Sequence, residues 1–220
     1  MIKCCIFDLD GTILDTISTI TYFVNETLSN HGIDGITVEE CKYFAGDGAR
    51  NLIKRSLLSK GIDDDERTER IFKEYKTIYD ENLLHLTTVF DGIREVLYEL
   101  RSKGIRLAVL SNKPDTAVKN IINHFFAGMF DEAVGAMEDV PLKPDPVSAI
   151  NLLKRLGIKE SETAWIGDTS TDIKTAKNLG ARLSIGVLWG FRKREELSAA
   201  GADVIVSTPD EILREVMAVV

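Results

Sequence analysis

Residues 3–12 read Lys3-Cys4-Cys5-Ile6-Phe7-Asp8-Leu9-Asp10-Gly11-Thr12, and they decide the fold. The short apolar run over 3–7 stops at two acids and a glycine. A short apolar run bounded by turn residues marks a strand buried on both faces. The form returns at 105–110, Ile105-Arg106-Leu107-Ala108-Val109-Leu110, which ends in Ser111-Asn112-Lys113-Pro114. It returns again at 163–166, Thr163-Ala164-Trp165-Ile166, which ends in Gly167-Asp168. Weaker strands are expected at 183–187 and 203–206, and a short one near 133–135.

Helical periods separate these strands. Ile93, Val96, Leu97 and Leu100 follow an i, i+3, i+4, i+7 pattern over 91–103, with Asp91 expected as N-cap and Gly104 as the glycine past the end. Val147, Ile150, Leu153 and Leu156 do the same over 145–156, with Pro146 near the first turn and Gly157 just beyond. A further helix over 170–179 stops at Gly180. Strands alternating with helices of this length predict βαβ units and a parallel sheet. Residues 15–88 break the alternation. They hold helical stretches near 15–31, 38–45, 48–60 and 65–84, punctuated by glycines, and no convincing strand. The chain therefore reads as an α/β core (1–14 and 89–220) interrupted by an all-helical insert (15–88).

With 220 residues, 44% of them hydrophobic and 28% charged, the composition is that of a globular protein with a large core. The formal net charge of −8 argues against a nucleic-acid partner, whose phosphates are met by Lys and Arg. A metal can still let a small anion bind. Three cysteines, Cys4, Cys5 and Cys41, cannot all pair, and no C-x-x-C is present; Cys4 and Cys5 are expected in the core and a reducing cytoplasm fits. No apolar stretch approaches a membrane span, and Asp8 and Asp10 interrupt the first apolar run too early for a signal peptide.

Ligands bind at the carboxyl edge of open parallel sheets. Asp8 and Asp10, Ser111 and Asn112, and Asp168 and Asp172 all follow predicted strands, and Lys143 comes from the irregular Pro141-Leu142-Lys143-Pro144-Asp145-Pro146. Four carboxylates, a hydroxyl and a lysine from distant segments could meet on one edge.

Here the sequence resembles the haloacid dehalogenase-like hydrolases. Asp8-Leu9-Asp10-Gly11-Thr12 is similar to their D-x-D-G-T signature, Ser111-Asn112 to the second motif, Lys143-Pro144 to the third, and Gly167-Asp168-Thr169-Ser170-Thr171-Asp172 to the fourth, G-D-x-x-x-D. Order and separation agree along the whole chain. The resemblance implies a Rossmann-like parallel sheet flanked by helices, with the insert as the smaller cap domain, and it points toward the phosphoglycolate phosphatase-like branch. The pyrophosphatase and β-phosphoglucomutase branches stand nearby.

Charge supports the chemistry independently. Four ionised carboxylates would repel a phosphoester dianion, and Lys143 offsets only one charge. A divalent cation is therefore expected, and an oxygen-only site favours Mg²⁺. The resemblance implies that Asp8 is the nucleophile that forms an aspartyl-phosphate. Asp10 is the general acid and then the base, its neighbours holding a proton on it. Ser111 and Asn112 donate to the phosphoryl oxygens, Gly11 and Thr12 line the same site, and Lys143 binds both the phosphoryl group and Asp8. Asp8, Asp168 and the backbone carbonyl of Asp10 hold the metal, with Asp172, one helical turn beyond Asp168, in an outer or water-mediated place.

Plainer roles are expected elsewhere. Asp15 reads as an N-cap, Lys113 as solvated, Trp165 as packing, and His31, His85 and His124 as surface or core. Trp189-Gly190-Phe191 could touch a substrate, with packing favoured. Arg50 and Lys54 share a helix face after Gly46 and Gly48, and Arg50 is expected to clamp a carboxylate on the substrate, against the alternative of pairing with nearby acids. The expected substrate is a small phosphorylated metabolite. A mutase that passes the phosphoryl group to a sugar is the enzymatic alternative. A phospho-accepting receiver-like module is the non-enzymatic one; receivers are shorter and lack both the insert and the second acid of the D-x-D pair.

Overall fold

A computed structural model describes residues 1–219. In chain order the elements are β1 (Cys4–Phe7), β2 (Leu14–Asp15), α1 (Ile17–Asn30), α2 (Val38–Phe44), α3 (Ala49–Ser59), α4 (Asp65–Glu81), β3 (Thr88–Val89), α5 (Ile93–Ser102), β4 (Arg106–Pro114), α6 (Asp115–Phe125), β5 (Glu132–Ala136), α7 (Val147–Leu156), β6 (Thr163–Gly167), α8 (Ser170–Leu179), β7 (Leu183–Val187), α9 (Arg194–Ala199), β8 (Val204–Val206) and α10 (Pro209–Ala218). The chain divides into two compact units, Thr16–Thr88 and the remainder.

The larger unit is built on a six-stranded sheet in the order β5-β4-β1-β6-β7-β8, with every pair parallel. Parallel strands need crossover helices on the faces, so β1, β6 and β7 are fully buried and largely apolar on both sides, Thr163 and Ser184 excepted. Cys4 and Ile6 enter a cluster with Ala108, Leu110, Trp165 and the inner faces of α7 and α8. Strand order reverses at β1, between β4 and β6. That is the topological switch point, where a crevice forms at the carboxyl edge. The sheet is the α/β architecture that the alternating pattern predicts.

The smaller unit is helical. Phe23 of α1 meets Tyr79 of α4 edge-on at 6.0 Å, and Tyr75 stacks on Tyr79 at 5.3 Å. Thr37 and Glu40 close a reciprocal capping box at the start of α2.

Three local expectations are corrected. Thr16, not Asp15, is the N-cap of α1, and Asp15 belongs to β2. Gly92 in a left-handed conformation, not Asp91, precedes α5. β4 does not stop at Leu110 but runs on through Ser111, Asn112 and Lys113, with a register shift against β5. The helices α6, α9 and α10 lie beyond what periodicity suggests.

Candidate active site

Asp8 immediately follows β1. Its backbone N–H donates to Ile166 of β6 (2.9 Å), which ties the turn to the sheet. One carboxylate oxygen, Oδ1, accepts from the Leu9 backbone N–H (2.7 Å) and from the Lys143 ammonium (2.8 Å). Both contacts fall on that one oxygen. Lys143 also reaches Asp172 Oδ1 at 2.7 Å, and the lysine and Asp172 side chains are 3% and 0% exposed. Burial pulls the ammonium down, but Asp172 and Asp8 outweigh it and hold Lys143 well above the ordinary lysine range.

Asp8, Asp168 and Asp172 each offer an oxygen within 4.8 Å of the others. Burial, then the Asp172 charge, pushes Asp8 up to about 7 against the pull of Lys143. Burial, then Asp172 and Asp8, also holds Asp168 well above the usual carboxylate range. Three converging carboxylates with one ammonium between them are short of positive charge, and every donor is a hard oxygen. The set fits a divalent cation of the Mg²⁺ kind.

Asp172 is the third residue of α8. Its Oδ2 accepts from the Thr169 backbone N–H (3.1 Å) and hydroxyl (2.6 Å), completing a capping box. Both of its oxygens thus accept from protein donors.

Asp10 does not join this cluster through its carboxylate. Both its oxygens face the Lys113 ammonium, each at 3.1 Å. Lys113 is thus buried and ion-paired rather than solvated, and Asp10 faces a cation rather than only other carboxylates. The available signal was its i, i+2 spacing from Ser111 on one strand. Ser111 is buried, and its Oγ accepts from the Lys113 backbone N–H (3.2 Å), so its own proton can be given to a ligand.

Asn112, expected as a phosphoryl donor, also braces the stretch that carries Lys143. Its amide clasps the Lys143 backbone, accepting from the N–H (2.8 Å) and donating to the C=O (3.2 Å). That fixes the irregular stretch from which Lys143 projects. Beneath Lys143 lies the buried Trp165 ring, 6.0 Å from ammonium to ring centre, so this packing residue also faces a cation.

The loop after β7 closes the remaining side. The Phe191 backbone N–H donates to Asp168 Oδ2 (2.7 Å), the Thr12 hydroxyl donates to Asp168 Oδ1 (3.1 Å), and the Trp189 indole N–H donates to the Thr12 carbonyl (3.0 Å). Trp189-Gly190-Phe191 therefore holds both Asp168 and the turn after Asp10. Gly11 takes φ +81°, and any Cβ there would strike Asp168. A Cβ at Gly190 would overlap the Asp168 side chain and the Gly11 carbonyl oxygen. Gly190→Ala is accordingly expected to push the loop off Asp168 at a cost of about 1–3 kcal/mol. Urea melts followed by tryptophan fluorescence would measure this, and an unchanged midpoint would show that the loop yields freely.

Arg50 lies in α3 of the helical unit. Its guanidinium Nε donates to Glu69, and Lys54 pairs with Asp65 at 2.9 Å. His31 pairs with Glu74, His85 packs on Tyr22 and Phe23, and His124 lies against Phe125, the surface or core roles expected of them. All three cysteines are buried thiols. Among the described residues, no helix is long and apolar enough to cross a membrane.

Comparison with known proteins places this geometry. The haloacid dehalogenase-like hydrolase family model matches residues 5–185. A phosphoglycolate phosphatase of Vibrio parahaemolyticus is 31% identical, over 99% of this chain and 97% of that protein. The solved structure of a Lactobacillus delbrueckii subsp. bulgaricus protein assigned as a phosphoglycolate phosphatase superposes with a TM-score of 0.92 at 33% identity, covering 97% of this chain and 98% of that one. A β-phosphoglucomutase of Clostridium difficile, 24% identical with a TM-score of 0.79 over 99% of this chain and 96% of its own, shares the fold. The chain belongs to the haloacid dehalogenase-like hydrolases and is a phosphatase of that family.

Proposed function

We propose that this phosphatase is a Mg²⁺-dependent phosphomonoesterase that acts on a small phosphorylated metabolite, phosphoglycolate first among them, through an aspartyl-phosphate on Asp8. The observation that carries the reading is the buried Lys143 ammonium held between Asp8 and Asp172 with Asp168 alongside. Asp8 and Asp168 would hold the metal together with the Asp10 backbone carbonyl, and Asp172 would act from behind Lys143. Bound there, Mg²⁺ supplies positive charge against the phosphoryl oxygens.

The residues then divide the work. The Asp8 carboxylate attacks phosphorus, and the bond to the leaving oxygen breaks. Asp10 gives that oxygen its proton. In the second half, Asp10 takes a proton from water as water attacks the same phosphorus, and the Asp8 carboxylate is released. Lys143 offsets the charge on the phosphoryl oxygens and on Asp8 throughout, and Ser111 donates its hydroxyl proton. Asn112 keeps Lys143 in place. Gly11 and Thr12 shape the turn against which the phosphoryl group sits.

Substrate choice is assigned to Arg50. Its guanidinium engages the Glu69 carboxylate, an interaction that a substrate carboxylate would take over. The relatives named as phosphoglycolate phosphatases support that substrate class. The test is a panel of phosphoglycolate, p-nitrophenyl phosphate, pyrophosphate and β-glucose 1-phosphate, with Mg²⁺ and with EDTA. Phosphoglycolate should be preferred and EDTA should abolish turnover. Conversion of the sugar phosphate to its isomer without release of inorganic phosphate would replace this reading with a mutase. Arg50→Ala should lower kcat/KM for phosphoglycolate on the order of 10-fold or more, with a smaller loss on p-nitrophenyl phosphate. Equal losses, or none, would remove Arg50 as the selector.

A further inference from the structure

Among the described residues, Lys113 is the one buried cation of the core unit that the reaction as described does not use. Its side chain is 6% exposed and lies with both oxygens of Asp10 at 3.1 Å, while the Asp10 side chain is 18% exposed. The same residue donates its backbone N–H to Ser111 Oγ at 3.2 Å. Lys113 therefore touches two working groups at once, the hydroxyl at the phosphoryl site through its main chain and the acid–base carboxylate through its ammonium. Burying an ammonium at the end of a strand is costly, so an ordinary structural position here would take an apolar side chain.

We infer that Lys113 is a positioning residue that fixes the Asp10 carboxylate relative to Ser111, so that proton transfer to the leaving oxygen and phosphoryl binding are held in one register. The inference rests on the role given to Asp10 above. In the first half-reaction the bond from phosphorus to the leaving oxygen breaks and that oxygen gains the Asp10 proton. The carboxylate left behind is the partner seen paired with Lys113. A general acid works only within about 2.6–3.2 Å of its target, and a misplacement near 1 Å costs on the order of 100-fold. Without Lys113 the Asp10 side chain can turn about its χ angles, and reactions that need its proton suffer most.

The leaving group separates this from a merely structural lysine. A nitrophenolate departs without help, whereas an alkoxide needs the proton. The readout is the ratio of first-step, single-turnover rates on phosphoglycolate and on p-nitrophenyl phosphate, taken for the wild type, Lys113→Met, Lys113→Arg, Asp10→Asn and the Asp10→Asn/Lys113→Met double variant. Lys113→Met should lower the ratio about 10- to 100-fold, Lys113→Arg should restore most of it, and the double variant should be no worse than Asp10→Asn alone. Should Lys113→Met not fold, Lys113→Gln gives the same readout. If Asp10→Asn lowers the ratio while Lys113→Met or Lys113→Gln slows both substrates equally, Lys113 is only structural and the inference falls, with the role of Asp10 intact. If Asp10→Asn leaves the ratio unchanged, the acid role itself is lost and the inference with it.

Discussion

Asp8→Asn is expected to abolish turnover, by on the order of 10⁴-fold or more, in a protein that still folds. The amide is a far poorer nucleophile, yet its oxygen can still accept the Leu9 N–H that Asp8 accepts at 2.7 Å. Lys143 keeps its second partner, Asp172, at 2.7 Å, so no buried ammonium is stranded by the change. Acid-quenched wild type should carry a phosphoryl group on the peptide containing Asp8, located by mass spectrometry, and the variant should carry none. Thermal melts of the two should lie within a few degrees. Retained activity, or a phosphoryl group on another residue, would remove Asp8 as the nucleophile.

What the sequence makes legible follows from where polar groups are satisfied. The buried strands β1 and β6 are readable because strands covered on both faces are almost wholly apolar, and β7 reads more weakly because Ser184 interrupts it. Gly104, Gly157 and Gly180 mark helix ends and take positive φ there. The end of β4 is not readable in the same way. Ser111, Asn112 and Lys113 look like a turn because polarity stands for exposure in a linear reading. In the folded chain Lys113 and Asn112 meet Asp10 and the Lys143 backbone, brought from 103 and 31 residues away. The same long-range pairing turns Lys113 from a solvated charge into a buried one. Trp189-Gly190-Phe191 is ambiguous for a related reason. A Trp and a Phe read equally well as packing, and only the main-chain N–H of Phe191 and the absent Cβ of Gly190 show that the loop is shaped around Asp168. α10 is a different case: Pro209 in its first turn and the Thr208/Glu211 capping box are written in the sequence, but only Ile212 and Val216 mark its buried side. Two apolar positions are too few for a period to stand out.

Asp168→Asn should raise the stability of the metal-free protein and remove its response to Mg²⁺. Burial and the charges of Asp172 and Asp8 hold Asp168 well above the usual range, and Asp8 itself lies near 7 against an ordinary value of 3.8. A folded-state value above the unfolded one means that the native protein binds more protons across that window. The stability that Asp8 contributes is therefore fully present below about pH 3.8 and is lost as pH rises through about 7, and that of Asp168 is lost as pH rises through its own raised value. Above those values the metal-free site carries the carboxylate repulsion, and an amide at 168 relieves part of it. Asparagine can still accept one of the two hydrogen bonds that Thr12 and Phe191 give to Asp168. A gain of roughly 1 kcal/mol corresponds to about 2–4 °C in Tm for a chain of this size. The gain should shrink as the pH is lowered toward 4. Mg²⁺ at about 100 times its Kd should stabilise the wild type by about 2.7 kcal/mol and leave the variant unmoved. Scanning fluorimetry in EDTA and in Mg²⁺, at pH 5 and at pH 7.5, reads all four conditions without an activity assay. A variant that melts below the wild type in EDTA at pH 7.5 and still responds fully to Mg²⁺ would make Asp168 an anchor for Thr12 and the Phe191 loop, not a metal ligand.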